Sequence, residues 1–165
     1  MTYTTIFASY NTTLDANPVA ATTAQVKRLS VDDQLALLWY AYTEIGRSIT
    51  PAAPGAARLQ FAEGLLNQIK QMPPQEQLQV MRDLANRVGT PISRSYGILS
   101  TNTKLAFWYQ LAEMMKEGTV IPMSSTYQMS SEASQALANL TSLEFGQQIT
   151  VLRNAVADMG VDPLA

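Results

Sequence analysis

Two segments of this chain are apolar on more than one side of a helix, and this limits its fold more than any other feature. The first reads VDDQLALLWYAYTEIGR, from Val31. Leu35, Leu38, Trp39, Tyr42 and Ile45 recur at helical spacing and share a face, while Leu37 and Ala41 lie elsewhere on the cylinder. The second reads KLAFWYQLAEMMKEG, from Lys104 to Gly118. Leu105, Trp108, Ala112 and Met115 form one face; Phe107, Leu111 and Met114 form another. A helix with apolar residues all round is buried among neighbours. Both helices are therefore predicted to be central.

The rest of the chain punctuates itself into shorter helices. Pro18 to Leu29 reads as one. Ser30 precedes the first central helix, and Asp32 and Asp33 fall in its first turn, where carboxylates favour a helix N-terminus. SITPAAPGA breaks the period with Pro51, Pro54 and Gly55. The next stripe is Phe61, Leu65, Leu66 and Ile69. Pro73-Pro74 opens another, with Leu78, Met81, Ala85 and Val88. After Gly89-Thr90-Pro91 comes a short piece, ISRSYGIL, and Thr101 as a cap for the second central helix. Gly118 suits the residue after a helix end. TVIPMSSTYQM is extended or looped. Two helices follow, near Ser131 to Leu140 and from about Ser142, the latter carrying Phe145, Ile149, Leu152, Val156 and Met159. No strand alternation and no short repeat is present. The fold class is all-α.

Composition excludes several functions. Net charge is −2, and no basic stripe exists to neutralise phosphates, so the chain is not expected to bind nucleic acid. Lys27-Arg28 reads as a solvated helix face. There is no cysteine and no histidine, which removes disulfides, thiolate nucleophiles, imidazole bases and Cys/His zinc sites. MTYTTIFASYNTT lacks the basic start and apolar core of a secretory signal. The longest strongly apolar run, Leu35 to Tyr42, is far short of the ~20 residues of a membrane span. A soluble, cytoplasmic protein is expected, with residues 1–17 as an arm and 18–165 as one helical domain.

Catalysis has little to work with. Asp, Glu, Lys and Tyr are the general bases left. Asp32 and Asp33 point in different directions, and Glu63, Asp83 and Glu113 read as solvated helix positions. No nucleotide, hydrolase or metalloprotease motif occurs. An enzyme is not expected. The aromatic and methionine residues pose a binding question instead. Stripes of this kind at helical spacing are most often core. Yet Trp and Tyr carry polar handles that need partners when buried, and Met suits irregular ligand surfaces. Periodicity leaves core packing and a ligand wall both open.

Five stretches together carry a resemblance: DDQLALLWYAY (32–42), AAPGAA (52–57), DLANR (83–87), KLAFWYQL (104–111) and GQQITVLRNAVADMG (146–160). The chain resembles the N-terminal domain of the cyanobacterial orange carotenoid protein, and its stand-alone relatives, the helical carotenoid proteins. The resemblance implies two interleaved four-helix units around a groove for a ketocarotenoid of the canthaxanthin or echinenone type. It implies an aromatic clamp on the terminal ring at Tyr42 and Trp108, with Trp39 close by. Further carotenoid-binding positions carried over are Leu35, Leu38, Gly55, Met81, Leu105, Tyr109, Met115, Met123, Tyr127 and Met159.

The resemblance also implies partners. Arg153 and Asn102 match positions that face a second, mixed α/β domain in full-length members, and the arginine helps bind the phycobilisome. This chain stops at Ala165, so a permanently open, red-form-like holoprotein is the expectation. The implied role is photoprotection, chiefly by quenching singlet oxygen. The alternatives are quenching of phycobilisome excitation and exchange of pigment with a stand-alone C-terminal-domain homologue. The implied location is the cytoplasm, at phycobilisomes or the thylakoid face. Leu99 stands where the family has tryptophan and Ser124 where it has proline, which leaves one end of the tunnel open to difference.

Overall fold

Small polar side chains set where most helices begin. The computed structural model describes residues 17–46 and 59–164. Among them run eight helices: α1 (Pro18–Lys27), α2 (Val31–Ile45), α3 (Gln60–Lys70), α4 (Pro74–Ala85), α5 (Pro91–Gly97), α6 (Thr101–Glu117), α7 (Ser131–Thr141) and α8 (Phe145–Ala157). No strand occurs among the described residues. Asn17 accepts from the N–H of Val19, Ser30 from Asp33, Thr90 from Ser93, Ser100 from Thr103 and Ser130 from Ala133. Each bond satisfies a donor that the helix itself leaves orphaned. Glu144 and Gln147 form a reciprocal capping box at α8. Gly118 ends α6 with φ +84°, a left-handed conformation that glycine adopts without strain.

The helices form two units that interleave along the chain. The middle helices, α3 to α6, enclose a cluster that includes Leu66, Ile69, Leu84, Tyr96, Phe107 and Leu111. The two ends of the chain, α1–α2 and α7–α8, enclose Val26, Leu37, Ala41, Leu140, Val151 and Leu152. Helix α2 crosses to α4 and α6, and α8 packs along both α6 and α1. Leu38 and Leu105 pack against both clusters. The two-sided helices predicted from periodicity, α2 and α6, thus face both units, as does α8.

Polar bonds join the units at the end of α8. The Tyr96 hydroxyl donates to the Val156 carbonyl at 2.6 Å, and Lys104 Nζ donates to the Ala157 carbonyl at 2.9 Å. These are carbonyls in the last turn, which a helix leaves without internal partners. Lys104 also lies 5.3 Å from the Tyr96 ring centroid. Burial lowers the Lys104 pKa, while the helix end and Asp158 favour its charge.

Several expectations need correction. Phe61 is 58% exposed; the buried stripe of α3 is Ala62, Leu65, Leu66 and Ile69. Val88 and Phe145 are also exposed. All three sit at or beyond a helix end, and spacing defines a face without saying how far the neighbour extends along it. Ser100 is the cap of α6, and Thr101 is its first residue. Lys27 and Arg28 are exposed, as a solvated helix face requires, and Lys27 also pairs with Asp158. The break SITPAAPGA lies outside the described residues.

The chain after α8 folds back over α5. Gly160 N–H donates to the Leu84 carbonyl at 2.8 Å, and Val161 N–H to that of Ser93 at 3.1 Å. A Cβ on Gly97 would lie 2.0 Å from the Val161 carbonyl oxygen, a backbone atom. Gly97→Ala is expected to lower the unfolding free energy by about 2 kcal/mol, in the range of overpacking. Urea denaturation measures it; an unchanged midpoint would refute the close contact.

Candidate functional site

A groove of about 200 Å³ opens where the two units meet. Helix α2 contributes Leu35, Leu38, Trp39 and Tyr42, with Ala36 and Ala41 between them. Helix α4 contributes Leu78, Met81 and Arg82; α6 contributes Leu105, Trp108, Tyr109, Ala112 and Met115; α8 contributes Leu152. The connection from α6 to α7 supplies Ile121, Pro122, Met123, Ser124 and Tyr127. At 1.5 Å per residue the α6 wall from Leu105 to Met115 is about 15 Å long.

The run Phe107-Trp108-Tyr109 divides between core and groove. Phe107 is fully buried and meets Tyr96 and Trp108 edge-to-face, with centroids 5.3 and 5.5 Å apart. Trp108 presents to the groove, and its indole N–H donates backward to the Tyr96 hydroxyl at 3.0 Å. Tyr109 lines the groove and meets Tyr42 edge-to-face at 5.5 Å, and Tyr42 lies 5.7 Å from Trp39.

The polar handles of Trp108, Tyr42 and Tyr127 are tied off among protein groups. Tyr42 donates to Glu113 at 2.5 Å. Burial, reinforced by Glu113, raises the Tyr42 pKa well above that of a free phenol, and Tyr109 is raised for the same reasons. Glu113 is therefore a half-buried acceptor, which corrects the solvated reading. Asp33, also read as a simple N-terminal carboxylate, is 6% exposed. It accepts from the Tyr127 hydroxyl at 2.7 Å, from Ser130 Oγ at 2.6 Å and from Ser130 N–H at 3.4 Å. Burial by itself pushes the Asp33 pKa up, but these bonds outweigh it and hold it below the usual value. Tyr127 is pushed up to about 12 by burial and by its bond to Asp33. At the rim, Arg82 grips Asp32 with two bonds of 2.9 and 3.1 Å, linking α4 to α2.

The family described as "Orange carotenoid protein, N-terminal" matches residues 12–162. The chain belongs to this family. A Nostoc sp. protein named "Orange carotenoid-binding domain-containing protein" is 69% identical over 147 residues, 89% of this chain and 86% of that one. The Orange carotenoid-binding protein of Limnospira maxima is 53% identical over 150 residues, 91% of this chain and 47% of its own length. Among solved structures, the Anabaena Orange Carotenoid Protein binding canthaxanthin gives a TM-score of 0.82 at 55% identity, covering 90% of this chain and 48% of that one. The Anabaena Red Carotenoid Protein binding canthaxanthin gives 0.76 at 41% identity, covering 87% and 99%. The chain thus spans about half the length of the Orange carotenoid-binding proteins it matches and nearly all of the Red Carotenoid Protein.

Of the carotenoid-binding positions carried over from the family, Leu35, Leu38, Trp39, Tyr42, Met81, Leu105, Trp108, Tyr109, Met115, Met123 and Tyr127 come together on the groove. Met159 does not; it is 4% exposed in the α3–α6 core. Gly55 lies outside the described residues. Asn102 and Arg153 are exposed, on α6 and α8. Leu99 packs against the α3–α6 core, while Ser124 is on the groove. Sequence reasoning missed the contribution of Leu78, which shares a stripe with Met81 and was findable. It also missed Arg82 and Asp32, whose pairing joins positions 50 residues apart.

The Asp33 cluster yields a pH prediction. The folded pKa lies below the ordinary value, so its stabilisation is complete above about pH 4 and fades as pH falls through the folded value. Asp33→Asn is expected to lose about 2 kcal/mol at neutral pH, as for hydrogen bonds to a charged group. The gap between variant and wild type should narrow in denaturation curves as pH falls below about 4. A gap independent of pH would rule out the ionised carboxylate as its source.

Proposed function

We propose that this chain binds one ketocarotenoid, of the canthaxanthin or echinenone type, non-covalently in the groove, for photoprotection. One observation carries this reading. Trp108, Tyr42 and Tyr127 all line the groove, yet their polar atoms bond to Tyr96, Glu113 and Asp33. Their faces are left for an apolar, flat ligand, and Met81, Met115 and Met123 add adaptable, polarizable surface. A conjugated rod of about 30 Å, the length of a 20-residue helix, fits such walls lengthwise and reaches past both ends of them. Relatives that bind canthaxanthin, at 41–55% identity, support the same ligand class.

The residues bind and orient; they make no bonds. Tyr42, Trp108 and Trp39 fix a terminal ring, and the leucines and methionines wall the chain. The bound polyene supplies the photophysics, taking up the energy of singlet oxygen and releasing it as heat. Similarity along nearly the whole Red Carotenoid Protein supports an open, red-form-like state. No helix among the described residues is long and apolar enough to cross a membrane.

Expression in cells making canthaxanthin is expected to give a purified protein with a broad, red-shifted visible band at one pigment per chain. Trp108→Ala and Tyr42→Ala should each weaken binding about tenfold, or about 1.4 kcal/mol. Met159→Leu, a core exchange, should not. A folded, colourless wild type overturns the reading.

A second reading rests on the exposure of Arg153 on α8. An exposed arginine suits docking onto an acidic partner surface, here the phycobilisome. Arg153→Glu is expected to abolish quenching of phycobilisome fluorescence while pigment stays bound. A wild type that never quenches removes this reading and leaves pigment binding intact.

A further inference from the structure

Among the described residues, helices form every wall of the groove but one. The remaining wall is the loop after α6, which brings Ile121, Pro122, Met123, Ser124 and Tyr127 against the space between α2 and α4. The helical walls cannot separate easily. Leu38 and Leu105 belong to both cores, and Tyr96 and Lys104 bind the end of α8 to the middle unit.

The loop is attached differently. Its first residues continue from α6, with Thr119 and Val120 N–H bonded to the Met114 carbonyl. Beyond them, two buried side chains hold it. Gln77 accepts from Ile121 N–H at 2.8 Å and donates to the carbonyls of Ile69 and Thr119, at 3.0 and 3.3 Å. Gln77 thereby fixes the near end to α4 and the end of α3. Asp33 fixes the far end, through Tyr127 and both donors of Ser130. Tyr127 is on the groove, and Asp33 is not among the lining residues. Asp33 therefore acts on the groove through Tyr127.

We propose that Asp33 is a positioning residue that latches the Tyr127 wall over a bound apolar rod, and that release of this latch opens the groove sideways for pigment to enter and leave. The route follows from the difference between the walls. A long rigid ligand threading between helices has to push apart a pair of packed cores. The same ligand passing under the loop has to break three hydrogen bonds to one carboxylate, while the Gln77 end remains as the hinge. The proposal rests on the reading of the groove as a carotenoid site.

The test uses the full chain loaded with canthaxanthin and mixed with phosphatidylcholine vesicles, following loss of the protein-bound band. Asp33→Asn and Tyr127→Phe are both expected to load with canthaxanthin and to release it about tenfold faster than wild type. Tyr127→Phe keeps the ring on the groove and removes only the hydroxyl, so it serves if the Asp33 variant folds poorly. Asn139→Ala is the control. It removes a 2.8 Å bond from α7 to Gln25 on α1, outside the groove, and should release at the wild-type rate. Release at the wild-type rate from both latch variants, or equal acceleration in Asn139→Ala, overturns the latch and leaves the pigment reading standing. A wild type that takes up no canthaxanthin overturns both.

Discussion

The bond from the Trp108 indole to the Tyr96 hydroxyl organises much of this molecule. The Tyr96 hydroxyl lies in the middle of a relay: it accepts from Trp108 and donates to the Val156 carbonyl. Three consequences follow from one hydroxyl. An orphan carbonyl near the end of α8 gains a donor. A buried indole N–H gains an acceptor, without which it would cost about 1–3 kcal/mol. The Trp108 ring is turned so that its apolar face, not its polar edge, meets the groove. Burial and low dielectric keep the Tyr96 phenol protonated, so the relay has a fixed direction.

The chain order explains why a groove exists there. A single four-helix bundle packs its helices around one core. Here the middle helices make one core and the chain ends make another, and α2 and α6 belong partly to each. Side chains between the cores, Leu38 and Leu105 among them, pack against both and also line the space left where the cores meet. Small residues at Ala36, Ala41 and Ala112 keep the faces between the cores apart from contact with bulk of their own, and the larger residues beside them become walls.

Periodicity made the framework legible. The faces of α2 and α6 are visible because a 3.6-residue period sorts Leu35, Leu38, Trp39 and Tyr42 from Leu37 and Ala41, and Leu105 and Trp108 from Phe107 and Leu111. It fails where the partner is remote or the backbone is irregular. Glu113 meets Tyr42 across 71 residues, and Asp33 meets Tyr127 across 94. Both acids look like ordinary surface positions in the sequence. Ile121 and Pro122 lie in a loop, which has no period. Resemblance places Met159 with the ligand, yet in this structure its side chain fills the α3–α6 core. Its place in the predicted stripe with Leu152 and Val156 marks it as buried, and burial does not say in which cavity.

The protonation states complete the physical picture of the groove. Tyr42 and Tyr127 are both held above the ordinary phenol value, so each remains a donor throughout the neutral range. Asp33 is held low, so it remains an acceptor. With no histidine in the chain, no group has an ordinary pKa near neutrality other than the terminal amine. The protonation states of Asp33, Tyr42 and Tyr127 therefore do not change over the pH range in which imidazoles titrate. A pigment whose colour depends on the field around it would meet the same field from these groups across that range. Among these three groups acid–base chemistry offers no switch near neutrality, so the Tyr127 latch would open by movement of the wall rather than by titration.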